Sequence, residues 1–345
     1  MRLLGLAIVL TGILAAQPPA AGFEIEDQRM FGLAEANSEL RIISTVDLDL
    51  FTPLVLAFQK LNPDMRIEYT VASSAELFKA INDENTGFDL AISSAMDLQT
   101  KLANDGLAQE YQSSLTDSLP DWARWSDVLF AFTQEPAVVI ASRSRLEGMA
   151  LPVNRRELIQ FLRDNPDIFQ DKVGTYDPRI SGLGYLFATQ DTRQSEDFWR
   201  LAEVTGTLGV SVYCCSGAMI NAIEAGEITL AYNVLGSYAA QRIGPDSDAV
   251  ILPMQDYTHV MLRTALIPKQ ARNPEAGGDF IDFLLSPVGR ELIRVEAGLP
   301  PIDAAAFASE QSQRPIRLGP GLLVYLDRIK RANFLSVWSA AVFRK

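Results

Sequence analysis

Between residues 40 and 102 the apolar positions switch three times from a period of two, as in a strand, to a period near 3.6, as in a helix. Leu40-Arg41-Ile42-Ile43-Ser44 predicts a short strand, and Thr45-Val46-Asp47 leads into a helix over 50–61 that Asn62-Pro63 stops. Residues 66–71 alternate like a strand, and Ser73-Ser74 then cap a helix carrying Leu77, Ala80 and Ile81. Residues 88–92 predict a third strand, with Ser93-Ser94 capping the next helix through Leu98 and Leu102. Strand, hydroxyl residue and helix, repeated in one run, predict a parallel sheet with its loops at the carboxyl edge, in an α/β fold.

The same handover recurs later. Ser181-Gly182 opens a helical run through Leu186 and Phe187, and Ser216-Gly217 opens another with Met219, Ile220 and Ile223 on one face. Two β-rich passages stand apart from these units. One is 138–141, directly after Phe132-Thr133-Gln134-Glu135-Pro136, and the other is 250–253, leading to 260–262 and 265–268. The stretch 321–343 carries apolar residues at helical spacing with Arg and Lys between them, which predicts a C-terminal helix packed on the first of the two halves rather than an element lying on a membrane surface.

The first residues are set aside from the fold. Met1-Arg2, the apolar run from Leu3 to Ala16 and the small residues Ala20 and Gly22 predict a cleaved signal peptide over 1–22 and export to the periplasm. The run is shorter than the roughly 20 residues that cross a bilayer. No cysteine follows it, so lipid attachment is not expected. A length of 345 residues suggests roughly two domains, and a hydrophobic fraction of 48% suits a soluble mature chain. The net charge of −13 argues against nucleic acid or anionic lipid as partner. It does not exclude a small anion, because local backbone dipoles outweigh a distant field.

Catalytic chemistry finds little purchase. His259 is the single histidine, no Cys or His pair has ligand spacing, and no Gly-x-Ser-x-Gly elbow occurs. No catalytic residue, metal site or cofactor is expected, and a secreted enzyme is the less supported class. The cysteines are adjacent, Cys214-Cys215. They read either as two small side chains at a strand-to-helix turn or as a vicinal disulfide shaping a cleft rim.

At this point the chain resembles the periplasmic solute-binding proteins of ABC importers. The group in question includes ferric-iron-binding proteins and relatives that bind phosphorylated or organic anions. The landmarks are Ser44-Thr45 with Leu54-Val55-Leu56-Ala57-Phe58, then Phe88-Asp89-Leu90-Ala91 and Asp177-Pro178-Arg179-Ile180-Ser181-Gly182. Ala225-Gly226-Glu227-Ile228 and the run 280–289 complete the series. The resemblance implies a two-lobed type II periplasmic-binding-protein fold, each lobe a mainly parallel sheet flanked by helices, with a two-stranded hinge. Lobe one would comprise 23–140 and 258–345, and lobe two 141–257. It also implies a monomer that carries a small-molecule ligand to an ABC permease in the inner membrane. A sensor subunit of similar fold, signalling to a membrane histidine kinase, is the other partner reading.

The candidate ligand-binding residues follow the predicted loops. They are Ser44, Thr45 and Asp47 in the first loop, Ser74 and Ser94 in the next two, and Thr133 before the crossover. In the second lobe they are Arg179, Ser181, Gly182, Ser216, Gly217, Tyr232 and Asn233. Helix starts offer unpaired N–H groups and a partial positive charge to an anion, glycine allows close approach, and serine adds a donor. Arg179 reads as a bidentate clamp on phosphate or carboxylate, or as a surface ion pair. Asp47 suits an amine, a sugar hydroxyl or a metal, or else caps its helix. Ferric-binding relatives carry consecutive tyrosines near 232, whereas this chain has Tyr232-Asn233, with Tyr238 six residues on. That departure points to hydrogen bonding with a polar organic ligand, and ferric-iron binding stands as the alternative.

Overall fold

The computed structural model describes residues 22–84 and 86–343, so the predicted leader lies outside the described residues except for Gly22. β1 (Asp27–Phe31) is followed by β2 (Ser38–Ser44), α1 (Leu48–Leu61), β3 (Met65–Val71), α2 (Ser74–Asn82), β4 (Leu90–Ser93) and α3 (Met96–Asn104). The short α4 (Ser114–Asp117) and β5 (Arg124–Trp125) precede the long β6 (Leu129–Ser142). A second series then runs α5 (Arg155–Asp164), α6 (Pro166–Phe169), β7 (Val173–Tyr176), α7 (Gly182–Gln194) and α8 (Asp197–Thr207). It continues with β8 (Ser211–Tyr213), α9 (Ser216–Glu224), β9 (Leu230–Leu235) and α10 (Gly236–Arg242). β10 (Ala249–Leu252) and β11 (Thr258–Leu266) return the chain to α11 (Pro274–Leu285), α12 (Pro287–Val295), α13 (Ala304–Ser309) and β12 (Gln313–Pro315). A 3-10 helix (Pro320–Leu326) and α14 (Arg328–Val342) end it.

The strands are ordered β1-β3-β2-β4-β11-β6-β9-β7-β8. β2 lies parallel to β3 and β4, and β7 lies parallel to β8 and β9. Between these two parallel groups stand β11 and β6, antiparallel to each other and to their outer neighbours. The first part of β6 pairs with β11 up to Pro136, and its last part pairs with β9 and β10 from Ala137 onward. Partner exchange falls at a proline, which has no N–H to give to a continuing ladder. The architecture is therefore two mainly parallel sheets flanked by helices, sharing a pair of antiparallel strands.

Two apolar cores fill the molecule, one running from the first half through the shared strands into the second, the other lying against the second half alone. In the first, Phe51, Leu54, Val55 and Phe58 of α1 share a cluster with the buried strand residues Leu40, Ile42 and Ile43, and Phe58 meets Phe280 of α11 with ring centroids 4.8 Å apart. In the second, Phe198, Leu201 and Ala202 of α8 pack with Val173 and Leu230. Serine capping holds at two of the predicted starts, where Ser73 accepts from the Glu76 N–H and Ser181 from the Gly184 N–H. It fails at two others, since α3 starts after Ala95 and α9 after Cys215, neither with a side-chain oxygen cap.

The C-terminal helix differs from expectation. Residues 321–343 break into the 3-10 helix, whose Leu322 joins the first core, and α14, whose Phe334, Trp338 and Val342 join the second. What lets α14 reach the second core lies on α8. Gly206 has no side chain, and a Cβ there would stand 2.2 Å from the Ala341 carbonyl oxygen, so the two helix backbones approach only because this position is glycine.

Candidate functional site

Parallel strands end at one edge, and in both halves that edge faces the gap between them. The loops after β2, β3 and β4 place Thr45, Asp47, Ser73, Ser74 and Ser94 on one wall. The loops after β7 and β8 and the start of α9 place Ser181, Cys214, Cys215, Ser216 and Gly217 on the other. Tyr176, Tyr238, Arg242, Asn221, Glu26 and Arg263 complete a cleft of about 690 Å³. A shallower recess of about 370 Å³ continues from its mouth past Glu26, Asp27, Asp47 and Asp49 to Arg242.

The candidates separate into three groups. Thr45, Asp47, Ser74, Ser94, Ser181, Ser216 and Gly217 line the cleft. The Oγ1 of Thr45 accepts the Ser94 N–H at 3.2 Å, so it fixes the turn entering α3. Asp47 makes no capping bond to α1, and its carboxylate stays exposed at the cleft. Two residues hold the cleft without lining it: the Ser44 hydroxyl is buried and accepts the Val46 N–H, and the Gly182 N–H donates across the gap to Ser74 Oγ at 3.2 Å.

The remaining four point elsewhere. Thr133 is buried and donates to Glu135 Oε1 at 2.8 Å. Arg179 forks onto Asp177 through Nε and Nη2, at 2.8 and 2.6 Å, and lies over the Phe343 ring, which is the surface-pair reading rather than the clamp. Tyr232 and Asn233 sit inside the second half because every residue of β9 is buried. Both bond Asp191 of α7, Tyr232 by its hydroxyl at 3.0 Å and Asn233 by its amide at 2.7 Å. The Tyr257 hydroxyl also donates to Asp191, and His259 Nε2 lies 3.2 Å from it. Arg155 joins by donating to the Tyr232 oxygen at 2.6 Å and to Asp256 at 2.9 Å. Burial alone would raise the Asp191 carboxyl, yet the contacts with His259, Arg155 and Asn233 hold it at about 2. This network ties the return passage around Asp256, Tyr257 and His259 to the second half, and is structural.

At the cleft floor is a pair that the sequence reading passed over. Arg263 of β11 is 1% exposed and grips Glu135 of β6 with Nε at 2.9 Å and Nη2 at 3.1 Å. Glu135 is itself held by the Thr133 and Ser237 hydroxyls. The Nη1 of Arg263 has only a 3.5 Å contact with Thr45 Oγ1, so one arm of the fork is turned toward the cleft. The signal was available: a charge inside the mainly apolar run 260–266, and a second charge inside 129–140.

Two phenols flank the floor. The Tyr176 hydroxyl and Ser216 Oγ lie 2.5 Å apart, and Ser216 Oγ also accepts the Leu235 N–H. Burial pushes the phenols of Tyr176 and Tyr238 up, so both stay protonated donors at neutral pH. Cys214 and Cys215 are free thiols on the lining, with Sγ atoms 2.9 Å apart, and burial together with the Cys214 contact pushes Cys215 to about 11. At the mouth, burial and the charges of Asp47 and Glu24 raise Glu26. Among the described residues, no group of three or more His, Cys, Asp or Glu comes together to hold a metal. Nor is any described helix long and apolar enough to cross a membrane.

Comparison with known proteins agrees with this geometry. A family model described as "Bacterial extracellular solute-binding protein" matches residues 48–298. The substrate-binding protein of an ABC transporter from Agrobacterium tumefaciens is 33% identical, with a TM-score of 0.86 over 92% of this chain and 98% of that one. AfuA from Actinobacillus pleuropneumoniae, solved with fructose-6-phosphate, superposes at a TM-score of 0.70 and 16% identity, covering 90% of this chain and all of its own. Iron-bound HitA from Pseudomonas aeruginosa does so at 0.67 and 18%, covering 88% and 99%. At such identities the likeness to AfuA and HitA is one of fold. No curated protein matches the chain.

Proposed function

Since the chain belongs to the bacterial extracellular solute-binding family, we propose that it is the periplasmic substrate-binding component of an ABC transporter. It captures a small organic or phosphorylated anion between two lobes and delivers it to the membrane permease. The leader over 1–22 directs export. Lobe one is built around 23–140 and the chain after 258, lobe two around 141–257, and α14 travels with lobe two because it shares that core.

The observation that carries this reading is the cleft itself. It stands where parallel strand ends from two sheets converge, and a buried arginine turns one free arm toward it. Serine hydroxyls and the uncapped start of α9 add neutral donors around that arm. A transport role implies that the ligand is held and released unchanged, in keeping with the family to which the chain belongs. The resemblance in fold to a protein solved with a phosphorylated sugar fits the same chemistry.

Native mass spectrometry of protein expressed with its leader tests the proposal. A co-purified anion is expected, and adding it back should raise the melting temperature and lower the radius of gyration. Stabilisation without compaction would count against capture between closing lobes. A second reading, ferric iron, is favoured by Tyr176 and Tyr238 lining the cleft and by the fold of iron-bound HitA. It requires deprotonated phenols, so ferric citrate should give a visible charge-transfer band that Tyr238→Phe abolishes. A colourless protein excludes it.

A further inference from the structure

We infer that the ligand is a zwitterion: its anionic group meets Arg263 and the α9 start, and a cationic group on the same molecule meets Glu26 and Asp47 at the mouth. The inference rests on the anion-capture reading above and narrows it.

Two facts of placement carry it. Glu26 and Asp47 line both the cleft and the recess at its mouth, and among the described residues neither takes part in an ion pair. Asp47 does not even bond its own helix start, the usual use of an aspartate in that position. The second fact is the charge of the whole lining. Arg263 is already neutralised by Glu135 through two bonds, so the floor offers donors but no net charge. Arg242 is the other cation on the lining, and its guanidinium is engaged on its own side by the Gly217 carbonyl and Asn221 Oδ1, at 3.4 and 3.0 Å. Counting Glu26, Asp47, Arg242 and the Arg263–Glu135 pair leaves the cleft with an excess of negative charge. The recess outside adds Asp27 and Asp49.

A bare anion entering such a cleft gains one arm of the Arg263 fork and the helix start but meets two carboxylates with only Arg242 to offset them. The same anion carrying an ammonium removes that repulsion and adds a charge-assisted contact. Burial, followed by the charges of Asp47 and Glu24, raises the Glu26 carboxyl. A hydroxyl in place of the ammonium would satisfy a lone pair but leave the charge excess in place.

Titration calorimetry with three probes tests this on the intact mature protein: 2-aminoethyl phosphate, ethyl phosphate and 1,4-diaminobutane. 2-Aminoethyl phosphate is expected to bind about tenfold tighter than ethyl phosphate, the order of one partly desolvated charge contact. In the doubly substituted Glu26→Gln, Asp47→Asn protein that preference should shrink to about twofold, with ethyl phosphate binding tighter than to the unsubstituted protein. Equal or stronger binding of ethyl phosphate to the unsubstituted protein would overturn the inference and leave anion capture standing. Preference for the diamine would overturn both. Silence with all three probes also overturns the zwitterion, while the co-purified ligand still judges the wider proposal.

Discussion

A single glycine marks a close approach between the two halves. A Cβ on Gly182 would stand 2.4 Å from Ser74 Oγ and 3.2 Å from the Ala95 Cβ, on the far side of the gap. The Ser74 Cβ, at 3.1 Å, cannot move by a change of rotamer, and the Ala95 Cβ belongs to a buried helix start, so the added methyl is expected to push the halves apart. Gly182→Ala is expected to enlarge the radius of gyration of the liganded protein and to weaken ligand binding by about tenfold, ~1.4 kcal/mol, with the helix content intact. Equal compaction in the variant would show that these two surfaces do not meet when ligand is bound. Gly217 offers a contrast within the same cleft. Its Cβ would meet only the Arg242 Nη atoms at 3.3–3.4 Å, the mobile tip of an exposed side chain, so alanine there should be far milder. Glycine at two helix starts thus answers two different needs, and spacing in the sequence does not separate them.

At the scale of elements, β6 and β11 bind the halves through backbone pairing and through one buried ion pair. Removing one partner strands a charge away from water, whereas removing both leaves an apolar gap. Arg263→Met alone should lower the unfolding free energy by about 3–5 kcal/mol in urea titration, and Arg263→Met with Glu135→Leu should recover most of it. Both variants should lose anion affinity, which separates the site role from the structural one. A double variant no more stable than the single would argue that Glu135 is independently satisfied by Thr133 and Ser237. The same elements show what was legible beforehand. The strand–helix units read correctly because period is a local property, visible in a window of a dozen residues, whereas the caps at α3 and α9 did not follow the serines. β1 escaped notice because Asp27–Phe31 is a polar, exposed edge strand with no apolar alternation, ordered by pairing with β3. Tyr232-Asn233 drew attention as polar residues after a binding-type loop, but β9 is covered on both faces, and no local pattern reports whether a buried tyrosine faces a cleft or a neighbouring aspartate. Arg263 was overlooked for the opposite reason: its partner lies 128 residues away, and only the fold brings them together.

The whole molecule should record its buried carboxylates in its response to pH. Asp97 on α3 is 3% exposed and has no ion-pair partner among the described residues, and burial lifts it to about 7 against weaker help from its neighbouring N–H groups and Arg331. Folded protein therefore keeps a proton that the unfolded chain releases above the ordinary carboxylate range near 4. Its contribution to stability falls as pH rises from about 4 to about 7 and is level above that. Asp191, held at about 2, acts the other way, adding stability above the ordinary range that is lost as pH drops toward 2. Replacing the first group isolates it: Asp97→Asn should raise the melting temperature at pH 8, by roughly 2–4 °C for each kcal/mol relieved, and the gain should vanish near pH 4. A gap independent of pH would mean that the Asp97 carboxyl is not what titrates. The position of the C-terminal segment has a further consequence at this scale. Two adjacent strands alone would let the halves both bend and twist about the line joining them. The 3-10 helix rests on α3 and is also bonded by Tyr185 and Arg193 of α7, while α14 rests on α8, so a third segment joins the halves besides the two shared strands. With three connections instead of two, we expect twisting of one half against the other to be resisted more than bending, in the manner of a door held to its frame.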